Sequence, residues 1–117
     1  MKLIVAGSRD FNDYDMLTIA VRNFITAHPD IDTIVSGTAR GADQLGERYA
    51  KDNNLSIDYC PADWNKYGKS AGYRRNEYMA QHADACICFW DGQSRGTTHM
   101  INLAKEYKLA TLVVKFG

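Results

Sequence analysis

The chain has 117 residues, of which 45% are hydrophobic and 24% charged, ordinary for one soluble globular domain and unlike a disordered, collagenous or coiled-coil chain. Fourteen basic residues balance fourteen acidic ones. That neutrality counts against a protein that wraps duplex nucleic acid, though not against a local basic cluster.

No apolar run approaches the roughly 20 residues that cross a bilayer, and Met1–Gly7 is too short for the apolar core of a signal peptide. A cytoplasmic location is expected. The three cysteines, Cys60, Cys86 and Cys88, are odd in number and lack Cys-x-x-Cys spacing, so they read as reduced thiols. As strand neighbours two apart, Cys86 and Cys88 would share a face. His28, His82 and His99 are scattered, which argues against a structural metal.

Lys2–Gly7 is a short apolar run ending in glycine, the pattern of a buried strand. Asn12 and Asp13 then offer N-caps to a helix whose apolar stripe is Leu17, Ala20, Val21, Phe24 and Ile25. Pro29 stops it, and Asp32–Gly37 is the second strand. A second helix starts near Gly41 with Ala42, Leu45 and Tyr49 on one face, and Asn53-Asn54 close it. Ser56–Cys60 is the third strand, broken by Pro61. The polar and aromatic stretch Ala62–Gly72 follows as a loop, and its Trp64 and Tyr67, with Tyr73 beyond, are available either to stack on a base or to pack on the core. Tyr73–His82 is the third helix, Ala83–Trp90 the most hydrophobic strand, and Gly92–Gly96 a loop. Thr97–Tyr107 is the fourth helix, with Met100, Leu103, Ala104 and Tyr107 inward, and Ala110–Lys115 is the last strand. Strands and helices alternating at this spacing imply right-handed crossovers. The expected fold is α/β, a Rossmann-like three-layer sandwich on a five-stranded, mainly parallel sheet, one domain over residues 1–117.

Ligands of open parallel sheets bind beyond the carboxyl ends of the strands. Three strands here end in small or glycine-rich turns: Gly7-Ser8-Arg9, then Ser36-Gly37-Thr38-Ala39-Arg40-Gly41-Ala42-Asp43, then Asp91-Gly92-Gln93-Ser94-Arg95-Gly96-Thr97-Thr98. Glycine lets backbone N–H groups approach an anion, and a following helix adds the positive end of its dipole. Ser36, Thr38, Ser94, Thr97 and Thr98 supply hydroxyls, while Arg9, Arg40 and Arg95 balance phosphate charge. One such turn is explained by tightness alone; three on one edge, each with an arginine, point to a phosphate-bearing ligand. None is a dinucleotide G-x-G-x-x-G or a P-loop, so no nicotinamide hydride transfer, P-loop hydrolysis or resident cofactor is expected.

Asp43 reads as fixing its loop. Asp91 reads either in the same way or as a ribose ligand. Glu47 is a base or ribose-binding candidate, against the alternative of a solvated helix residue paired with Lys51. Tyr73-Arg74-Arg75-Asn76 adds two arginines about 100° apart on a helix, of which one can face the site.

These turns resemble those of the SLOG superfamily, most closely its YspA/YpsA-related branch, over nearly the whole chain from Leu3 to Val114. The second turn is also similar to the S-G-x-A-R-G-x-D loop of DprA-type DNA-processing proteins. The LOG phosphoribohydrolases, which cut the N-glycosidic bond of nucleoside monophosphates, carry R-K-x-x-M-x-x-x-A-D, a strand, and P-G-G-x-G-T-x-x-E. Arg75, Met79, Ala83 and Asp84 match the first part and Gly96-Thr97 the second, which implies an active-site role for Arg75. The family's catalytic glutamate falls on Met100, and a thioether cannot activate water. Either Glu47, Asp91 or Glu77 takes that part, or the protein binds without cleaving. The resemblance therefore implies a binder of a nucleotide or ADP-ribose-like molecule, acting as a sensor or sequestering protein. The alternatives are a nucleoside-monophosphate N-glycosidase using Arg75 and Glu47, or a DprA-like single-stranded DNA binder. It also implies homo-oligomers.

Overall fold

A computed structural model describes residues 1–117. Five strands, β1 (Lys2–Gly7), β2 (Thr33–Ser36), β3 (Ser56–Tyr59), β4 (Ala85–Trp90) and β5 (Ala110–Lys115), form one sheet in the order β3-β2-β1-β4-β5. Every pairing is parallel, so the sheet is wholly rather than mainly parallel. The order reverses between β1 and β4, where a crevice opens beyond the strand ends.

Alternation along the strands assigns the two faces. Leu3, Val5, Ile34, Ile87 and Phe89 turn toward α1 (Tyr14–Ala27) and α2 (Ala42–Asp52), meeting Leu17, Val21, Tyr49 and Ala50. Ile4, Ala6, Val35, Cys86 and Cys88 turn the other way, toward α4 (Ala71–His82) and α5 (Arg95–Glu106), meeting Met79, Ala80, Met100 and Leu103. Cys86 and Cys88 lie side by side on that face with Sγ atoms 3.5 Å apart.

The stripe of α1 falls where its spacing places it, and Asp13 caps the helix by accepting the Met16 N–H at 3.0 Å. Asp13→Ala should therefore cost about 1 kcal/mol in a urea titration. A midpoint unmoved by that change would mean that water replaces the cap. At the far end of α2, Asn54 takes the left-handed conformation, φ +58°.

The stretch read as a loop over Ala62–Gly72 folds further than its composition indicates. Asp63 caps a one-turn helix, α3 (Trp64–Tyr67), through the Lys66 N–H, a 3₁₀ turn follows over Gly68–Ser70, and α4 begins at Ala71, two residues earlier than expected. Glycines at 68 and 72 hid this run, since they lower helix propensity while Asp63 and Ser70 sit at its turns. Tyr107, expected inward, is exposed at the end of α5, where its hydroxyl accepts from Gln81 Nε2 at 3.2 Å. No helix is long and apolar enough to cross a membrane.

Candidate functional site

The turn after β1 is held from both sides. Ser8 is buried, its N–H donating to the Phe89 carbonyl at 2.9 Å, and its hydroxyl accepts the Asp91 N–H at 3.2 Å. Phe11 then plunges into the core and stacks on Phe89, with ring centroids 4.7 Å apart. Between these two anchors Arg9 and Asp10 are left exposed at the sheet edge.

The turn after β2 is locked onto the first. Gly41 has φ +84°, and a β-carbon there would stand 2.5 Å from the carbonyl oxygens of Ser8 and Arg9, so only glycine fits. Thr38 sits at φ +66°, a conformation rare for a β-branched residue and one that marks functional or over-determined turns. Its N–H donates to Ser36 Oγ at 3.0 Å, while Ser36 Oγ donates to Glu47 Oε2 at 2.5 Å. Asp43, only 5% exposed, accepts the Ala39 N–H at 3.2 Å.

Gly37 is the hinge of the site. A β-carbon on it would lie 2.7 Å from Asp43 Oδ2 and 2.8 Å from Arg75 Nη1, so the carboxylate and guanidinium flank a residue that must have no side chain. Arg75 Nη1 donates to the Gly37 carbonyl, and Nε donates to Asn76 Oδ1 at 3.0 Å. Asn76, buried, continues toward the start of α5, with Nδ2 3.4 Å from the Gly96 carbonyl and 3.3 Å from His99 Nδ1. Burial drives the Asp43 carboxyl up to about 6, against the pull of the Arg75 charge and the loop N–H groups. Burial also lowers Arg75 from its ordinary value, with the Asp43 carboxylate opposing.

The third turn is arranged differently. Asp91 Oδ1 accepts the N–H groups of Gln93 and Ser94 at 2.8 Å each, which holds its carboxyl below the usual range. Ser94 caps α5 by accepting the Thr97 N–H at 3.3 Å and its hydroxyl at 3.0 Å. The Thr98 hydroxyl donates to the Ser94 carbonyl at 2.9 Å.

A cleft of three joined compartments opens over these turns. The inner one, about 300 Å³, has a floor of Ala6, Met79 and Met100 and walls that include Asp10, Asp43 and Asp91. A second, about 470 Å³, lies against Thr38, Arg40, Pro61 and Trp64. A third, about 200 Å³, is bounded by Trp64, Lys69 and Tyr73. Arg9 and Arg75 stand in the walls of all three.

Of the residues singled out in the sequence, Gly7, Ser8, Arg9, Gly37, Thr38, Arg40, Asp43, Arg75, Asp91, Ser94, Gly96 and Thr97 line this cleft. Ser36, Gly41, Ala42, Thr98 and Glu47 lie behind it and shape the turns, while Gly92 rests against the Lys115 stem. Glu47 is half-buried and not paired with Lys51; its Oε2 accepts from the Ser36 hydroxyl. Asp10, Asn76 and Met79 complete the lining without having been singled out for the ligand. Asn76 had a signal, because it shares the buried stripe of α4 with Met79 and Ala80, where a polar residue needs a reason.

A parallel sheet with this strand order, and a cleft across its point of reversal, defines a Rossmann-like protein. The chain belongs to the YspA, cpYpsA-related SLOG family (YAcAr), whose pattern matches residues 1–67 and so takes in the first two turns. Beyond that stretch, the Gene 61 protein of Mycobacterium phage D29 remains similar, at 33% identity over 122 residues covering 99% of this chain and 96% of that protein. Membership points to nucleotide-related binding or processing.

Proposed function

We propose that the protein binds a nucleotide-derived small molecule, a nucleoside phosphate or an ADP-ribose-like ligand, in this cleft, and acts in the cytoplasm as a sensor or sequestering protein. The supporting observation is the placement of Arg9 and Arg75 in the wall shared by all three compartments. Arg9 makes no ion pair within the chain, and Arg75 is fixed by the Gly37 carbonyl and Asn76 without a salt bridge to either. Two guanidinium groups at the mouth of a crevice, that of Arg75 held in place and that of Arg9 free, are well suited to a phosphate.

Hydrolysis is a second reading, favoured by one observation. Asp43 is a buried carboxyl in the cleft that holds its proton to about pH 6, as a general acid or base must near neutrality. Binding is preferred because Asp43 already accepts a loop N–H and Met100, 1% exposed, occupies the floor.

The test is a thermal-shift screen with AMP, ADP-ribose, NAD and cyclic nucleotides, followed by chromatography of each mixture that shifts. A ligand at 100 times its dissociation constant adds about 2.7 kcal/mol. A shift with intact ligand is the expected result. Free base in the chromatogram would replace binding by hydrolysis, and no shift with any compound would end the nucleotide reading.

A further inference from the structure

The sheet's two edges differ in how they are protected. β3 is four residues long, carries Asp58, whose carboxylate accepts from Lys2 Nζ at 2.8 Å, and has Pro61 just beyond its end. Short length, a charge and a proline are devices that keep an edge from pairing. β5, at the other edge, lacks them: it is six residues long, holds no proline or glycine, and its one charge is its last residue, Lys115. Leu112 and Val113, in its middle, are 38% and 37% exposed, one on each face of the sheet. No residue of β5 lines the cleft.

The ladder to β4 fixes which backbone groups of β5 are free. The N–H groups of Ala110 and Phe116 donate to the Asp84 and Trp90 carbonyls at 3.2 and 3.0 Å. Bonds to a parallel neighbour come from every second residue, and β5 keeps register with β4 along its whole length, so positions 110, 112, 114 and 116 face β4. Thr111, Val113 and Lys115 turn their N–H and C=O groups outward, where the sheet ends.

That outward row is complementary to itself. Turned about a two-fold axis normal to the sheet at Val113, a second β5 runs antiparallel to the first, with Val113 opposite Val113 and Thr111 opposite Lys115. Directly opposed outward residues of an antiparallel pair exchange both N–H···O bonds. No other register sets all three outward residues against outward residues. Leu112 meets Val114 across the axis on one face, the two Val113 side chains meet on the other, and Lys115 faces a hydroxyl rather than its own copy. An arbitrary peptide would gain the backbone bonds alone, whereas a second copy also covers both aliphatic side chains. The chain has fourteen basic and fourteen acidic residues, so two copies approach without net repulsion.

We propose that β5 is the interface of a homodimer in which two five-stranded sheets join edge to edge into one continuous sheet. Both clefts stay open in it. The strand is small beside the roughly 800 Å² per partner of a standard interface, so the dimer is reversible and its population follows concentration.

Sedimentation of the full chain over a roughly hundredfold range of concentration should show a monomer–dimer equilibrium. Val113→Lys places two ammonium groups against each other on the axis and should weaken association at least about 100-fold. It leaves the ladder to β4 untouched, so its urea midpoint in dilute solution should match that of the wild type. Amide exchange reads the register: the N–H groups of Thr111, Val113 and Lys115 should exchange freely when dilute and become protected as concentration rises, while those of Leu112 and Val114 stay protected throughout. A chain that remains monomeric at every concentration would overturn the proposal. So would a dimer that survives Val113→Lys, association that leaves the three outward amides unprotected, or open-ended assemblies.

Discussion

Arg75→Ala is expected to lower the affinity for any nucleotide ligand by at least about 100-fold while leaving the sheet and its core intact. Truncating one side of a desolvated charge pair costs 2–5 kcal/mol, and about 1.4 kcal/mol corresponds to each factor of ten. Arg75 earns the larger effect over Arg9 because it is pre-positioned: the Gly37 carbonyl and Asn76 hold its fork in place before any ligand arrives. Little side-chain entropy is then lost on binding. Arg75→Lys should recover only part of the affinity, since an ammonium keeps the charge and loses the fork. Calorimetry with the strongest ligand from the screen, alongside a denaturation curve for each variant, separates binding from folding. Wild-type affinity in Arg75→Ala would mean that the anion is held elsewhere.

The fold was legible because the information lies in local patterns. Lys2–Gly7 and Ala85–Trp90 are apolar on both faces, as central strands of a covered parallel sheet must be, and the stripe of α1 has helical spacing. The three turns were legible for the same reason, since glycine next to a small hydroxyl residue at a strand end marks a tight turn. What the sequence could not show is which way each polar side chain is committed. Ser36, Ser94 and Thr98 read as donors to a ligand, yet the Ser36 hydroxyl donates to Glu47 on α2, that of Thr98 donates to the Ser94 carbonyl, and that of Ser94 accepts from Thr97. Glu47 read as a base or ribose ligand, or as a solvated partner of Lys51, and its actual partner Ser36 lies eleven positions away, on a strand whose distance to α2 no spacing rule gives. Arg75 and Gly37 are 38 positions apart, and only the crossover from β3 through α4 brings them together. The short α3 escaped because a single turn has no periodicity to detect.

Asp43→Asn should change how stability depends on pH, by up to about 3 kcal/mol between pH 4 and pH 7. In the folded chain the Asp43 carboxyl holds its proton to about 6, against an ordinary value of 3.8. The folded state thus binds the proton more tightly than the unfolded chain, and each unit of difference is worth about 1.4 kcal/mol. Below pH 4 both states are protonated and the contribution is fully present. Between pH 4 and 6 the unfolded chain ionises first, and stability drains away. Above about 6 both states are ionised and the buried carboxylate stands as a cost, eased by Arg75 and the Ala39 N–H. Asparagine accepts the same N–H without a charge to bury, so the variant gains on the wild type steadily as pH rises. Asp32 and Asp91 are shifted downward and act in the opposite sense, but they are common to both proteins and cancel in the difference. Urea titrations of both proteins at pH 4, 5, 6 and 7 read this directly, and parallel curves would show that Asp43 ionises as freely in the fold as outside it. The same substitution leaves Arg75 without a neighbouring negative charge. A phosphate ligand should then bind the variant more tightly at pH 7 than at pH 5 relative to wild type, because only at the higher pH does the native Asp43 carry the charge that competes for Arg75.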